Sequence, residues 1–188
     1  MRTLSELTSS TAKAVLLSII PNISVAVAAT SDDLYNNYFG NVLGGLPCFA
    51  RTYGENYLAA NPKQRVRKIE IDLAKTNSDG TPNSPDHFAL DFAVMLTSGS
   101  DWFGQAASCK TNDADFECNL AGDGGLFRLT PQKDRLRLET GEEGISIEGL
   151  SGGDIELSGK DGIDRSFDLV PSKEECQEAA AFFEGGND

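Results

Sequence analysis

The fold is decided by residues 124–170, GGLFRLTPQKDRLRLETGEEGISIEGLSGGDIELSGKDGIDRSFDLV, which alternate between apolar and polar side chains in five short runs. Residues two apart on a β-strand share a face, so every second side chain of each run can enter one core. Gly, Asp, Lys and Pro separate the runs. The pattern therefore predicts an antiparallel meander with one face toward water. The predicted inward side chains are Phe127, Leu129, Leu136, Leu138, Ile145, Ile147, Ile155, Leu157, Phe167 and Leu169.

Further strands are predicted upstream, at 48–53, 67–73, 87–96 and 102–109, with polar, turn-rich loops at 75–86 and between Cys109 and Cys118. Apolar residues at helical spacing after an Asp cap predict a short N-terminal helix. Ser172 and Glu175 form a capping box, which predicts a C-terminal helix over 172–184. The predicted fold class is mainly β: a meander closed into a barrel or packed as a sandwich, with about 8–10 strands.

The first 29 residues have the layout of a secretory signal. Basic Arg2 and Lys13 precede the apolar run AVLLSII, and Ala26 and Ala28 stand at the A-x-A spacing of a cleavage site. We therefore predict a signal peptide at 1–29, an N-terminal arm or short helix at 30–45, and one β-rich domain at 46–185. After cleavage we expect no stable membrane span, and a periplasmic or secreted location.

An exported chain with an even number of cysteines favours disulfides over free thiols. Cys109 and Cys118 are the pair most easily closed, because the residues between them are polar and can turn. This pairing leaves Cys48 for Cys176. A zinc site is the weaker alternative, because the chain has no C-x-x-C spacing and its single histidine is distant from the cysteines.

The formal net charge of −13 bears on partners. Nucleic acid and anionic lipid surfaces both need Lys and Arg footprints, so we expect neither to bind. Basic proteins and cations remain compatible partners. The charge also suffices to keep the chain in solution without any specific role.

One basic cluster stands out in this acidic chain, and Tyr53 lies within it. Arginine binds carboxylates bidentately, so the cluster is a candidate docking patch for an acidic partner. The alternative is internal pairing with acids on neighbouring strands. Tyr53, Tyr57, Trp102 and Phe103 are likewise either the mouth of a ligand cavity or part of the core. The candidate patch consists of Arg51, Tyr53, Arg65 and Arg67, with Lys63 and Lys68 alongside.

Residues 48–73 contain the pattern C-F-x-R-x-Y, then Leu, then P-x-Q-x-V, followed by an alternating strand. This segment resembles a group of secreted bacterial β-rich proteins without an assigned activity. The resemblance implies an exported, mostly β, disulfide-bearing domain and carries no catalytic residue. The matching residues are Cys48, Phe49, Arg51, Tyr53, Leu58, Pro62, Gln64 and Val66.

Catalytic and metal-binding signals are weak. His87 beside Asp86 is the single imidazole base, and no G-x-S-x-G nucleophile motif accompanies it. Alternating acids at Asp113, Asp115 and Glu117 are calcium candidates, although they do not fit the EF-hand loop. No sequence fingerprint predicts a cofactor.

These observations rank three hypotheses. The first is an exported non-catalytic β-domain that binds an envelope protein or a small ligand. The second is an envelope hydrolase that uses carboxylates and His87. The third is a calcium-stabilised structural protein of the envelope.

Overall fold

Eight strands close into an antiparallel barrel in a computed structural model that describes residues 30–40, 47–149, 153–157, 164–172 and 176. The predicted mainly β fold is confirmed, as a barrel rather than a sandwich. The predicted signal peptide (1–29) and most of the predicted C-terminal helix (172–184) lie outside the described residues. The barrel strands are β1 (Cys48–Thr52), β2 (Val66–Leu73), β3 (Phe88–Leu96), β4 (Trp102–Asn112), β5 (Asp115–Leu120), β6 (Leu126–Gln132), β7 (Arg135–Thr140) and β10 (Ser166–Pro171). Around the barrel the order is β1-β10-β7-β6-β5-β4-β3-β2, with β2 returning to β1.

The interior of the barrel is filled by the alternating apolar side chains. Residues in register across neighbouring strands, such as Ile71 with Phe92 and Leu138 with Phe167, point to the same face and are buried. Small barrels of this strand number have an interior that side chains can fill. The largest fully buried side chains are Phe88, Phe92, Phe116, Phe127, Phe167, Ile69, Ile71, Leu90, Leu129, Leu136, Leu138 and Ile145.

One end of the barrel, here the helix end, is covered by the N-terminal segment. Helix α1 (Ser31–Tyr35) continues into a π-helical turn (Asn36–Gly40). The cap of α1 is Thr30, which forms a capping box with Asp33. Phe39 from the turn contacts Phe88 and Phe116 with ring centroids 5.1 Å apart in both cases. This aromatic cluster anchors the segment in the core.

At the opposite end, here the hairpin end, two of the five predicted strands of 124–170 lie outside the barrel. The five runs all form strands and the barrel has the predicted meander order, but β7 pairs directly with β10. The runs between them form β8 (Ile145–Glu148) and β9 (Asp154–Leu157), a separate two-stranded sheet. Ile145, Ile147 and Leu157 nevertheless join the main core, because the hairpin packs onto this end of the barrel.

Gly124 explains how closely the hairpin approaches. The backbone N–H of Ser146 donates to the Gly124 carbonyl at 2.9 Å. A Cβ atom at Gly124 would lie 2.6 Å from Cβ of Leu120 and 3.0 Å from the Ser146 carbonyl oxygen. Only glycine fits between the barrel and the hairpin at this position.

Candidate functional site

A stack of one cation and two aromatic rings lies at the hairpin end, where β1 leaves the barrel. The Arg51 guanidinium carbon is 5.3 Å from the centroid of the Tyr53 ring. On the following helix, α2 (Glu55–Ala60), Tyr57 stacks on Tyr53 with centroids 4.9 Å apart and planes 28° apart. We call Arg51, Tyr53 and Tyr57 the cation–aromatic stack.

The members of this stack differ in exposure. Tyr53 is 9% exposed, whereas Tyr57 is 43% exposed and Arg51 is open to solvent. Burial, and then the neighbouring Tyr57, raise the pKa of the Tyr53 hydroxyl to about 12. Tyr53 therefore stays neutral at ordinary pH, and Arg51 supplies the charge of the stack.

Local structure holds the two rings in place. The backbone N–H of Tyr53 donates to the carbonyl of Arg67 at 2.9 Å, which extends the pairing of β1 with β2. The Asn61 side-chain amide donates to the Tyr57 carbonyl at 2.8 Å and closes the end of α2. Leu58, the next residue of α2, packs against the core. Tyr57 is therefore presented on a fixed turn of helix.

Arg65 and Arg67, which the sequence grouped with Arg51 in the docking patch, are bound internally. Arg65 donates through Nε to the Asp164 carboxylate at 2.5 Å and through Nη2 to the Glu156 carbonyl at 2.6 Å. It thereby joins the segment before β2 to β9 and to the segment before β10. Arg67 donates through Nη2 to Met95 Sδ at 2.7 Å and to the Gly99 carbonyl at 3.2 Å. Their first role is structural.

Other residues of the C-F-x-R-x-Y…P-x-Q-x-V pattern also have structural positions. Cys48 bonds to Cys176, and Phe49 packs edge to face on Phe39. The buried Gln64 side chain donates to the Val66 carbonyl at 3.1 Å, and Val66 is fully buried. Gln64 and Val66 thus lie where α2 leads into β2 at the hairpin end, whereas Cys48 and Phe49 connect the start of β1 to the helix end.

Both predicted disulfides are present. Cys48 and Cys176 join β1 to the C-terminal segment, with Cα atoms 6.1 Å apart. Cys109 and Cys118 lie directly opposite each other on β4 and β5. The predicted loop between the second pair is wrong, because both strands continue and leave a tight turn around Asp113, whose φ is +49°.

The calcium candidates Asp113, Asp115 and Glu117 lie in the β4–β5 turn and on β5. Asp115 lies 3.4 Å from the Arg128 guanidinium, and Glu117 lies 3.2 Å from the Lys110 ammonium group. Asp113 is in the turn, beyond this pair. Within the described part of the chain, no group of three or more His, Cys, Asp or Glu residues is arranged to hold a metal ion. Calcium binding by these acids stays a prediction.

The hydrolase candidate His87 lies at the helix end, at the close of the loop between β2 and β3. Its backbone pairs with Ser84, and its side chain is exposed. Among the described residues, no carboxylate is hydrogen-bonded to the imidazole, so the Asp-His arrangement of a catalytic triad is not formed there.

The sequence analysis did not find two residue pairs, one at the hairpin end and one on the outer wall of the barrel. Asp164, which is 2% exposed, is the partner of Arg65, but the two lie 99 positions apart and no local pattern connects them. Asp72 and Asp91 face each other across β2 and β3 on the outside of the barrel. The alternation of these strands does contain the signal for that pair, once the register is known.

The fold and this stack define the molecule as a closed antiparallel β-barrel with a solvent-facing cation–aromatic surface at one end. No protein-family model, curated protein sequence or solved structure matches the chain. Of the helices in the described ranges, none has the length and apolar character needed to cross a membrane.

Proposed function

We propose that the chain is an exported, non-catalytic β-barrel domain that binds another protein of the cell envelope through the surface around Tyr57. The observation that supports this most is that the exposed ring of Tyr57 stacks on the ring of Tyr53, which is buried. Among the described residues, the only other large apolar side chain with comparable exposure is Leu126, at 37%. Exposed aromatic residues on a rigid base are typical anchors of protein interfaces.

A protein partner is favoured over a small ligand inside the barrel. The barrel axis is occupied by Phe92, Phe127 and the other fully buried side chains, and Phe92 and Phe127 contact each other with centroids 5.3 Å apart. The helix end is covered by Phe39 and its neighbours. Binding at the outer surface of the hairpin end needs no change in this packing.

Export is supported by the cysteines. Disulfides persist in oxidising compartments, and both pairs lie within the folded domain. The signal predicted at 1–29 leads to the same location. A non-catalytic role is supported by the position of His87, which is exposed and distant from the hairpin end.

The proposal is tested by affinity capture with a tagged domain that begins at Thr30. The tagged domain is incubated with an envelope extract of the source cells, and retained proteins are quantified by mass spectrometry. We expect a retained protein that is lost with Tyr57→Ala and kept with Tyr57→Phe, because phenylalanine preserves the ring. Leu126→Ala is the matched control at the same end of the barrel.

Equal retention by wild type and Tyr57→Ala would contradict the proposed surface. Circular dichroism and thermal melting of each variant establish that the barrel is intact before the capture is compared.

A further inference from the structure

Several basic side chains of the outer wall are bound by acids, and Arg51 can be compared with them. Along β4, β5, β6 and β7, the register places Lys110, Glu117, Arg128 and Glu139 in one alternating row. On the next strands Arg137 bonds to Asp168 through Nε at 2.8 Å. Among the described residues Arg51 makes no ion pair, and its guanidinium contacts the Tyr53 ring. Its charge acts on Asp168 from a greater distance: the pKa of that carboxyl is lowered first by the hydrogen bond from Arg137, and Arg51 adds to the effect.

The carboxylates nearest to the stack are already engaged. Asp164 and Asp168 are the two acids whose charges act on the Tyr53 hydroxyl. Asp164 is bound by Arg65 and Asp168 by Arg137. Arg51 therefore differs from Arg65 and Arg137, whose guanidinium groups are each bound by a carboxylate.

The guanidinium of Arg51 is also held in place. Exposed lysines such as Lys63 and Lys75 have flexible stems, whereas Arg51 lies over an aromatic ring that is 9% exposed. A planar guanidinium fixed in this way loses less rotational freedom when it binds a carboxylate through two parallel N–H groups. Tyr57 offers a flat apolar surface beside it.

We infer that the cation–aromatic stack binds an acidic peptide segment of the partner, with an Asp or Glu carboxylate on Arg51 and an adjacent aromatic side chain on Tyr57. The inference rests on the proposed function and specifies the chemistry of the partner at the same surface. A short peptide segment is favoured over a polyanion, because the net charge of −13 repels an extended chain of negative groups. A single carboxylate, in contrast, interacts with the nearby positive charge of Arg51.

The test is selection of random heptapeptides displayed on phage against the immobilised domain. We expect the selected peptides to be enriched in Asp or Glu next to Phe, Tyr or Trp. A fluorescent copy of the most enriched peptide is then titrated by anisotropy. Arg51→Ala is expected to weaken its binding by about tenfold or more, as for loss of a hydrogen bond to a charged group, and Arg51→Lys by less.

Lys75→Ala is the matched control, because Lys75 is an exposed base near the helix end. It should leave the affinity unchanged, and added salt should weaken binding to the wild type. Two further results would overturn the inference: selected peptides without acidic residues, or equal affinity for wild type and Arg51→Ala. Binding of the carboxylated polysaccharide alginate in preference to every selected peptide would overturn it as well.

These outcomes are separable from those of the proposed function. Envelope capture that depends on Tyr57, together with selected peptides that lack acids, would leave the binding surface standing and refute the acidic partner. Capture that is indifferent to both Tyr57→Ala and Arg51→Ala would refute both proposals.

Discussion

At the scale of single residues, the outer wall contains an unusual pair of like charges. Asp72 and Asp91 lie directly opposite each other on β2 and β3, in the same row as Cys48 on β1. Burial, and then the charge of Asp91, raise the pKa of Asp72 from 3.8 to about 6. Burial also raises the pKa of Asp91. Like charges opposite each other on adjacent strands destabilise a sheet.

The pH dependence of stability follows from the direction of this pKa shift. The pKa of Asp72 is higher in the folded than in the unfolded chain, so protonation of this carboxylate stabilises the fold. This stabilisation is fully present below about pH 4 and is lost as the pH rises to about 6. We expect Asp72→Asn to raise the melting temperature at pH 7.5 and to have little effect at pH 4. Thermal melting followed by circular dichroism at both pH values measures this difference.

Asp123→Asn is the control for the pH experiment, because it removes an acid from an exposed turn. It should give the same melting temperature difference from wild type at pH 4 and at pH 7.5. A lower melting temperature for Asp72→Asn at pH 7.5 would show that the carboxylate stabilises the fold.

At the scale of elements, the two disulfides constrain the chain to different degrees. Cys48 and Cys176 are 128 positions apart, whereas Cys109 and Cys118 are 9 apart and join strands already paired in a hairpin. In the chain-entropy model these loops correspond to about 5 and about 3 kcal/mol of stabilisation. The disulfide between Cys48 and Cys176 should therefore stabilise the fold more than the one between Cys109 and Cys118.

We expect Cys48→Ala with Cys176→Ala to lower the melting temperature more than Cys109→Ala with Cys118→Ala. Both double variants should exceed the effect of His87→Ala, because His87 is exposed and contributes little packing. Melting with and without reductant provides the independent comparison on the wild-type chain. An unchanged melting temperature in reductant would contradict a stabilising role for either bond.

Elements also show the limits of prediction from alternation. The strands β6, β7 and β10 and the hairpin strands β8 and β9 have the same two-residue period, because all of them bury one face. This period correctly predicts which residues of each strand point inward. It does not predict which two strands pair with each other. The close packing of β8 on the barrel requires a glycine at position 124, and two of the three residues nearest to it, Gln105 and Ser146, are distant in sequence.

At the scale of the whole molecule, the barrel, the disulfide pairing and the inward residues were within reach of the sequence. Part of the candidate site was too, since Arg51 and Tyr53 were both in the predicted patch. The sequence could not separate Arg51 from Arg65, because the acid that binds Arg65 comes from the segment before β10. It could not distinguish Tyr57 from Tyr53, because their different exposure depends on how α2 docks on the barrel.

The two ends of the barrel are covered differently, and the proposed function depends on this difference. Aromatic residues of the N-terminal segment cover the helix end, whereas α2 presents Tyr57 to solvent at the hairpin end. We propose that the chain meets its partner through the surface around Tyr57 at the hairpin end, outside the cytoplasm.

The most direct test is photo-crosslinking in living cells, with a photoreactive phenylalanine analogue placed at position 57 of the full chain. The matched control carries the same analogue at position 126. We expect a crosslinked envelope protein from position 57 that is absent from position 126. Crosslinks from position 126 alone, or to cytoplasmic proteins, would contradict the proposed surface.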